Sequence, residues 1–480
     1  MGAESTRLVV IGGGPGGYAA AFLAADLGIE TTLVDLEANP GGVCLYRGCI
    51  PSKTLLHVAR VVDEARHAER FGVSFGKPAI DLDRLRSHKD SVVARMTGGL
   101  GQLVAARKIR YIRGRAKFVS AGELDVALTD GGSRRLAFEH AVVATGSSPA
   151  RLPGFPEHPD VLDSSGALEL RRIPRTLLVV GGGYIGLELG SVYAALGSEV
   201  TVVETTATLL PGVDPDLVRP LHRRLAAAFA GIVLNTRVEE VIPRARKGLD
   251  VRTEGDSAWS GTRSFEQVLV SVGRTPNSRG LGLESTAVRV GSSGFVEVDR
   301  AMRTAEPSIR AIGDLVGQPM LAHKASHEAR VAVESIAGRD VVFEPRAIPA
   351  VVFTDPEIAW AGLTETEARA QGRTVAVARF PWGASGRATT LGRDDGVTKL
   401  VIDPDSERVL GVGLCGPGAG ELIAEGALAL EMGAVAEDLA ATIHPHPTLS
   451  ETVMEAAEAF FGTATHIHRP RHTGGRFPSP

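Results

Sequence analysis

The chain contains one sequence pattern twice, and this internal repeat limits the possible folds more than any other feature. The first copy starts with LVVIGGGPGG and ends with TTLVD, and the second starts with LLVVGGGYIG and ends with VTVVE. Each copy reads as an apolar strand, a glycine-rich turn, an alanine-rich helical stretch and a second strand that ends in an acid. This order is typical of the beginning of a doubly wound dinucleotide-binding unit.

The glycines and the acids of the two copies have matching positions. The acid follows the first glycine by 23 residues in both copies. The first glycine permits a tight turn, the second lets the backbone approach a pyrophosphate, and the third lets helix and strand pack closely, while the acid accepts hydrogen bonds from ribose hydroxyls. A single glycine-rich turn could belong to another α/β fold, but two copies at equal spacing favour two dinucleotide sites. The residues are Gly12, Gly14, Gly17 and Asp35 in copy one, and Gly181, Gly183, Gly186 and Glu204 in copy two.

The second site is predicted to prefer NAD to NADP. The carboxylate of Glu204 would repel a 2′-phosphate, and no arginine occurs from residue 205 to residue 217 to bind one.

The predicted fold is α/β, with two doubly wound dinucleotide-binding domains and a C-terminal α+β domain. Residues 1–150 form the first domain and residues 151–276 the second. Residues 277–345 form a central domain, in which an apolar stretch closes with Gly313 and Asp314. A different domain covers residues 346–468, and the segment 469–480 lacks apolar periodicity and is predicted to be disordered.

Composition excludes several classes of function. The formal net charge is −4, which offers no electrostatic footprint for nucleic acid, and no apolar run is long enough to span a bilayer. The N-terminus has neither a signal core nor a transit segment, and three cysteines are too few for a secreted disulfide scaffold. We therefore expect a cytoplasmic protein.

Two of the three cysteines lie in the segment GGVCLYRGCIPSKTLLHVARVV. Four residues separate Cys44 from Cys49, which suits a small loop closed by one disulfide. A helix that starts near Pro51 would favour a thiolate at Cys49 and would place Lys53 on the same face. The alternatives are a purely structural disulfide and half of a zinc site. Zinc needs two more ligands, and Cys415, which we expect to be a buried strand residue, is distant in sequence.

The segment TIHPHPTLSETVMEAAEAF places His444 and His446 in a proline-rich turn before a helix. Glu451 follows His446 by five residues, and a carboxylate on one imidazole nitrogen would fix the tautomer and raise the basicity of the other. Taken alone, histidines in such a turn are more often surface residues. The histidines near the end of the chain are interpreted as solvated; they are His466, His468 and His472.

Taken together, these segments resemble the flavoprotein disulfide reductases, collinearly from about residue 7 to about residue 466. The most specific pieces are GGVCLYRGCIPSKTLLH, GQPMLAHKA, FTDPEIAWAGLTE, FPWGASGRA and HPHPTLSE. The last two resemble the branch of this family that oxidises dihydrolipoyl groups. The resemblance implies FAD in the first fingerprint, NAD in the second, and electron transfer from a dithiol substrate through the Cys44–Cys49 disulfide and FAD to NAD. It also implies a homodimer whose partner is the lipoyl-bearing acyltransferase core of a 2-oxo acid dehydrogenase complex, or the lipoyl protein of glycine cleavage.

The resemblance assigns site residues one by one. Besides the fingerprint glycines, the FAD contacts fall on Asp35, Gly41, Gly42, Val43, Cys44, Lys53, Ala116, Thr145, Gly146, Ser147, Asp314 and Ala322. The NAD contacts fall on Gly181, Gly182, Gly183, Tyr184, Ile185, Gly186, Glu204, Val238 and Gly273. Glu188 would pair with Lys53 near the flavin. His446 and Glu451 would form an acid–base pair that acts in the opposite subunit.

Two residues depart from the family pattern. Tyr46 stands where the family usually has asparagine, next to the disulfide. Tyr184 stands where this branch often has an aliphatic residue; in glutathione reductase a tyrosine there covers the flavin until nicotinamide arrives. These departures leave open a sibling reductase that acts on another disulfide or a quinone. A binding subunit whose redox activity is incidental is the third reading.

Overall fold

The computed structural model describes residues 4–255 and 258–468. The segment 469–480, for which the sequence predicts disorder, lies outside the described residues. None of the helices in the described part combines the length and the apolar character needed to cross a bilayer.

The first domain is built on a sheet in which strand β1 is central. The strands of the domain are β1 Glu4–Ile11, β2 Thr31–Asp35, β3 Arg110–Ser120, β4 Glu123–Leu128, β5 Ser133–Val143 and β6 Ser147–Pro149. Its helices are α1 Pro15–Asp26, α2 Gly42–Arg47, α3 Cys49–His67 and α4 Leu82–Ala106. β2 and β5 flank β1 in parallel, and the long β3 and β5 continue into an antiparallel meander with β4. Leu8, Val9 and Val10 of β1 are fully buried, as expected for a parallel strand covered on both faces.

The second domain repeats this plan around strand β8. Its strands are β7 Val161–Leu162, β8 Thr176–Val180, β9 Glu199–Val203, β10 Gly231–Val233, β11 Arg237–Pro243, β12 Leu249–Glu254, β13 Gly261–Phe265, β14 Gln267–Val270 and β15 Arg274–Pro276. Its helices are α5 Ser164–Leu168, α6 Tyr184–Leu196 and α7 Pro215–Ala228. The parallel sheet has the order β10-β9-β8-β14-β7, and β11, β12 and β13 form a separate antiparallel sheet. β15 pairs with β6 and so joins the two domains.

The two repeat copies form β1-α1-β2 and β8-α6-β9. Gly12 and Gly181 have φ of +101° and +104°, a conformation that favours glycine. A Cβ on Gly17 would lie 1.7 Å from the Gly12 carbonyl oxygen, and one on Gly186 would lie 2.3 Å from the Gly181 carbonyl oxygen. Helix and strand therefore touch at the third glycine of each copy.

The segment 277–345 shares the core of the first domain. Strand β16 Ile309–Ala311 pairs with β5, and helix α8 Ala322–Ile336 packs against α1. Ile309 of β16 is buried with Val9 of β1, so this segment extends the first sheet and has no separate hydrophobic core.

The C-terminal domain is an antiparallel sheet with helices. Its strands are β17 Ala350–Val352, β18 Glu357–Gly362, β19 Ala376–Pro381, β20 Val397–Ile402 and β21 Val409–Gly416, in the order β17-β18-β21-β20-β19. Its helices are α9 Glu365–Ala370, α10 Gly386–Thr390, α11 Ala419–Met432, α12 Ala436–Ala441 and α13 Glu451–Phe461. Cys415 is fully buried on β21, as predicted. The α/β architecture with two doubly wound domains and an α+β domain is also confirmed.

Candidate active site

A cavity of about 720 Å³ opens beside the first glycine turn and reaches the edge of the second domain. A Cβ on Gly42 would lie 2.5 Å from the Cα of Gly14, so the backbone closes around this turn only because residue 42 is glycine. The start of α1 faces the cavity and has no side-chain cap, so its amides remain available to a phosphate. The first glycine turn and the start of α1 together fit the pyrophosphate of FAD. The predicted FAD residues that line it are Gly12, Gly14, Asp35, Gly42, Val43, Cys44, Lys53, Ala116, Thr145, Gly146, Ser147, Asp314 and Ala322.

Two predicted residues of the first set lie behind the cavity wall. Gly17 faces the Gly12 carbonyl, as described above. The Gly41 N–H donates to the Gly13 carbonyl at 2.7 Å, which fixes the entry to α2. Both shape the turn without lining the cavity.

The acid at the end of each fingerprint holds its own glycine turn. Asp35 accepts hydrogen bonds from the N–H groups of Gly13 and Glu37, at 2.5 and 2.9 Å. Burial raises the pKa of Asp35 despite these bonds. Glu204 accepts from the Gly182 N–H at 2.7 Å and the Thr206 N–H at 2.8 Å. Burial opposes ionisation of Glu204, but these bonds outweigh it and lower its pKa. Each carboxylate has further lone pairs for a ribose hydroxyl.

The predicted NAD residues are distributed around the start of α6. A Cβ on Gly183, the residue before α6, would meet nothing within 4 Å, and the same holds for Gly273. Tyr184 and Ile185 begin α6 and line the first cavity, so they lie between the two dinucleotide turns. The side chain of Val238 packs in the core of the second domain, so any contact of this residue with a nucleotide would use its main chain.

Cys44 lies in α2 and Cys49 is the first residue of α3, and both line the cavity. The two side chains share a hydrogen bond. That bond, opposed by burial and reinforced by Lys53, lowers the pKa of Cys49 to about 6, whereas the same bond and burial raise the pKa of Cys44. At neutral pH the pair therefore carries a thiolate at Cys49 and a thiol at Cys44.

The zinc interpretation finds no support in the described part of the chain. There, the group of His, Cys, Asp and Glu side chains close enough to share a metal ion is Asp214, Asp216 and Glu365, which contains no cysteine. The ammonium of Lys399 contacts all three of these carboxylates.

Lys53 and Glu188 form an ion pair next to the cysteines. The Nζ of Lys53 lies 2.8 Å from Oε2 of Glu188, which is 3% exposed. The other carboxylate oxygen of Glu188 accepts from the Phe353 N–H at 3.0 Å. A buried carboxylate with a cation and an amide donor is thus satisfied on both oxygens.

The two unusual tyrosines have different surroundings. The hydroxyl of Tyr46 donates to the Asn39 carbonyl at 3.0 Å, so the side chain is held against the loop that precedes α2. Tyr184 lines the cavity, and burial raises its pKa. Tyr184 is therefore placed to contact a cofactor, whereas the Tyr46 hydroxyl is engaged by the main chain.

No sequence motif pointed to Arg274, which lines the cavity. Its Nε donates to Oγ of Ser147 at 2.6 Å, and Ser147 donates to Asp314 at 2.5 Å. Asn277 was also missed; its side-chain amide donates to the Thr145 carbonyl at 3.0 Å. Both residues lie in the segment SVGRTPN, and the β6–β15 pairing brings this segment to the cavity.

His446 and Glu451 form the predicted pair but do not line the cavity in a single chain. Nδ1 of His446 lies 2.8 Å from Oε1 of Glu451, and the other oxygen of Glu451 accepts from the Thr448 N–H at 2.7 Å. Burial acts to raise the pKa of Glu451, but these two hydrogen bonds lower it overall. The His446 side chain is 72% exposed, so its other nitrogen is free to meet a group from outside this chain.

The other C-terminal histidines differ from one another in their surroundings. His444 is bound at both ring nitrogens, by Glu425 at 2.7 Å and by the Thr442 carbonyl at 2.8 Å, so its role is structural. His466 is exposed, as expected for a solvated residue, but it also bonds the buried carboxylate of Glu455, and this bond raises its pKa. The chain reverses after α13, and this fold, which periodicity cannot reveal, brings the two together. His468 is exposed as expected, and His472 lies outside the described residues.

Two dinucleotide turns that converge on one dithiol define a class of oxidoreductase that moves electrons between thiols and a nicotinamide. The chain belongs to the pyridine nucleotide-disulphide oxidoreductase family, whose model matches residues 6–329. The dimerisation-domain model of the same family matches residues 348–457 and supports a homodimer. The cofactors predicted for the two fingerprints, FAD and NAD, are those of this family.

Within the family, the similar proteins include dihydrolipoyl dehydrogenases. That of Haemophilus influenzae is 47% identical over 96% of each chain, and that of Vibrio cholerae is 46% identical over 96% of this chain and 97% of its own. Among solved structures, LpdA from Mycobacterium tuberculosis matches with a TM-score of 0.87 at 29% identity, covering 94% of this chain and 99% of that chain. The HOCl-induced flavoprotein disulfide reductase RclA from Escherichia coli matches with a TM-score of 0.85 at 27% identity, covering 95% and 99%.

Proposed function

We propose that this chain acts as a dihydrolipoyl dehydrogenase, which oxidises protein-bound dihydrolipoyl groups and reduces NAD. The observation that carries the proposal is the cysteine pair, in which a low-pKa Cys49 at the start of α3 lies in the cavity beside Cys44 and Lys53. The identity to dihydrolipoyl dehydrogenases over nearly the whole chain supports this substrate class.

The cofactors would occupy the two glycine turns. The residues that line the first cavity would hold FAD, and Gly181 to Gly186 with Glu204 would hold NAD. When bound, FAD takes two electrons from the dithiol and supplies them as hydride to NAD. The protein positions these groups and sets the charge around them.

The protein residues then account for the thiol chemistry. The free nitrogen of His446 takes a proton from one substrate thiol, while Glu451 holds the other nitrogen. The substrate thiolate attacks Cys44 of the oxidised pair, so a bond forms from substrate sulfur to Cys44 and the Cys44–Cys49 bond breaks. Cys49 leaves as a thiolate. The second substrate thiol then attacks the first substrate sulfur, releases Cys44, and leaves the substrate as a disulfide. The released Cys44 accepts the remaining proton, so the reduced pair consists of a thiol at Cys44 and a thiolate at Cys49.

His446 would act on the cysteines of the opposite subunit. Within one chain His446 and Glu451 do not line the cavity. The surrounding domain also exposes the apolar side chains of Leu428, Met432 and Ile443, the last of them 94% exposed. Exposed apolar groups of this size mark a surface that another protein covers, and we propose a second copy of this chain.

Two variants test the proposal. His446→Gln should abolish lipoyl-dependent turnover and leave NADH oxidation by an artificial acceptor largely intact, while the exposed control His468→Gln should change neither. Equal loss of both activities in His446→Gln would contradict the role of His446. Cys49→Ser should remove a long-wavelength thiolate–flavin absorption from the reduced enzyme; if the unaltered enzyme has no such band, the role of the cysteine pair is wrong.

The proposed partners are lipoyl-bearing proteins, either the acyltransferase core of a 2-oxo acid dehydrogenase complex or the lipoyl protein of glycine cleavage. We propose a cytoplasmic location because a redox-active thiol pair, and not a scaffold of disulfides, accounts for the cysteine use. A sibling reductase is the second candidate, favoured by the similarity to RclA. Steady-state rates with lipoamide, glutathione disulfide and a quinone, each with NAD or NADP cofactors, distinguish the two.

A further inference from the structure

Three domains meet at the ammonium group of Lys53. Lys53 belongs to α3 of the first domain, Glu188 to α6 of the second, and Phe353 follows β17 of the C-terminal domain. The Nζ of Lys53 lies 2.8 Å from Glu188 Oε2 and 4.5 Å from the centroid of the Phe353 ring. The ammonium is thus held between a carboxylate and an aromatic face, both of which attract a cation.

Phe353 contacts both members of the ion pair. Its ring faces Lys53, and its N–H donates to Glu188 Oε1 at 3.0 Å. The N–H bond orients the carboxylate, and the ring offers a second attraction to the ammonium. One residue of the C-terminal domain therefore fixes a lysine of the first domain.

The segment after Phe353 is itself anchored to three elements. Asp355 forms ion pairs with Arg393 at 2.6 Å and with Arg224 of α7 at 2.9 Å, and Arg224 also bonds Asp63 of α3 at 2.7 Å. The hydroxyl of the buried Thr354 donates to the Pro356 carbonyl at 2.8 Å. These contacts hold the position of Phe353 relative to α3.

If the ring of Phe353 is removed, the Lys53 ammonium can move into a second cavity. It lines the cavity that contains Cys49, and it also lines a second cavity of about 660 Å³ together with His57, Arg60 and Phe353. Without the aromatic face, a hydrated position in the second cavity becomes competitive. The ammonium would then spend less time near Cys49.

We propose that Phe353 is a positioning residue, whose ring and N–H keep the Lys53 ammonium beside the cysteine pair and the flavin site. The inference rests on the proposed function for the flavin, but the effect on Cys49 is a property of this chain alone. Lys53 lowers the pKa of Cys49, and Glu188 acts in the opposite direction. Displacing Lys53 should therefore weaken the Cys49 thiolate.

The test compares Phe353→Leu with Phe353→Tyr. Leucine retains the N–H and most of the apolar volume but loses the ring, whereas tyrosine retains both. In Phe353→Leu we expect the apparent pKa of the Cys49 thiolate to rise by about half a unit, and in Phe353→Tyr to stay near the original value. Two readouts give this pKa: pH titration of the long-wavelength thiolate–flavin band in the reduced holoenzyme, and of the ultraviolet thiolate absorbance in the flavin-free protein.

A matched control removes another ring from a cation. Phe71, which is exposed, lies 4.6 Å from the Arg70 guanidinium, and Phe71→Leu should leave both titrations unchanged. The pKa shift caused by Phe353→Leu should also vanish in a Lys53→Met background, because the proposed route runs through Lys53. Should Phe353→Leu fail to fold, Phe353→Met replaces it.

The outcomes separate this inference from the proposed function. No band in the unaltered holoenzyme would contradict the function. A normal band whose pKa is the same with and without the ring, an equal shift in Phe353→Tyr, or a shift that persists without Lys53 would each overturn the role of Phe353.

Discussion

Replacing Lys399 with methionine should weaken the attachment of the second domain to the C-terminal domain. Lys399 lies on β20 and is 2% exposed at its side chain. Its Nζ lies 2.8 Å from Asp214, 2.9 Å from Asp216 and 2.7 Å from Glu365. The two aspartates lie at the start of α7 and the glutamate at the start of α9, so the ammonium joins elements of two domains. Methionine keeps the length of the side chain and removes its charge.

The expected loss follows from what each carboxylate retains. Asp216 and Glu365 are partly solvated and keep the guanidinium of Arg379. Asp214 is buried but keeps three donors: the N–H of Glu365 at 3.0 Å, and the N–H and hydroxyl of Thr366 at 2.9 and 2.6 Å. Removing one member of a buried ion pair destabilises a protein by about 3–5 kcal/mol. Because the three carboxylates keep other donors, we expect Lys399→Met to lower the free energy of unfolding by about 3 kcal/mol.

The assay is urea unfolding followed by far-ultraviolet circular dichroism across a range of pH. Burial opposes ionisation of Asp214 and Asp216, but Lys399 and the other donors outweigh it and lower both pKa values. A lowered pKa gives stability that is present above the unfolded value, near 4, and is lost as the pH falls through the folded value. The difference between the two proteins should therefore be full at neutral pH and shrink below about pH 4.

The matched control is Arg369→Met, which removes a cation 3.2 Å from the same Glu365 at a site where the arginine is 81% exposed. An exposed pair contributes less than about 1 kcal/mol, so this variant should unfold almost like the original protein. Equal effects of the two variants, or a Lys399→Met effect below about 1 kcal/mol at neutral pH, would refute the reasoning.

Three other predictions concern the second glycine turn, the His466–Glu455 pair and Tyr46. Gly183→Ala should leave unfolding unchanged, because its Cβ would meet no protein atom within 4 Å, but the Cβ should weaken NAD binding at least tenfold in a titration. In contrast, the Cβ of Gly186→Ala would lie 2.5 Å from Ser271 Oγ, so this variant should destabilise the second domain by about 1–3 kcal/mol. His466→Gln should lower the thermal midpoint of unfolding more at pH 6 than at pH 9. The raised pKa of His466 gives stability that is present below the pKa of the unfolded state and is lost as the pH rises through the pKa of the folded state. An equal shift of the midpoint at both pH values would argue against the Glu455 pairing. Tyr46→Phe should lose about 1 kcal/mol of unfolding free energy with lipoamide turnover within twofold of the original, since the hydroxyl bonds only the loop; a large fall in turnover would show that the hydroxyl acts on substrate.

Local interactions explain why much of the site could be predicted from the sequence. The positive φ of Gly12 and the contact of Gly17 with the Gly12 carbonyl involve residues five apart. Cys49 and Lys53 share a helix face because four residues make one turn, and Glu451 reaches His446 across a short proline-rich turn. Each of these geometries is encoded by spacing, and the repeat of one of them at equal spacing identified the two domains.

Tertiary structure decided the contacts between residues that are far apart in the chain. The Arg274–Ser147–Asp314 chain, the Lys399 cluster, the Glu455–His466 pair and the ring of Phe353 over Lys53 have no periodic signature. They form because sheets and helices with apolar faces pack in one arrangement, and polar groups buried by that packing must find partners wherever the fold places them. The residues that can carry the chemistry were therefore visible in the sequence, while the charges that surround them were set by how three domains meet.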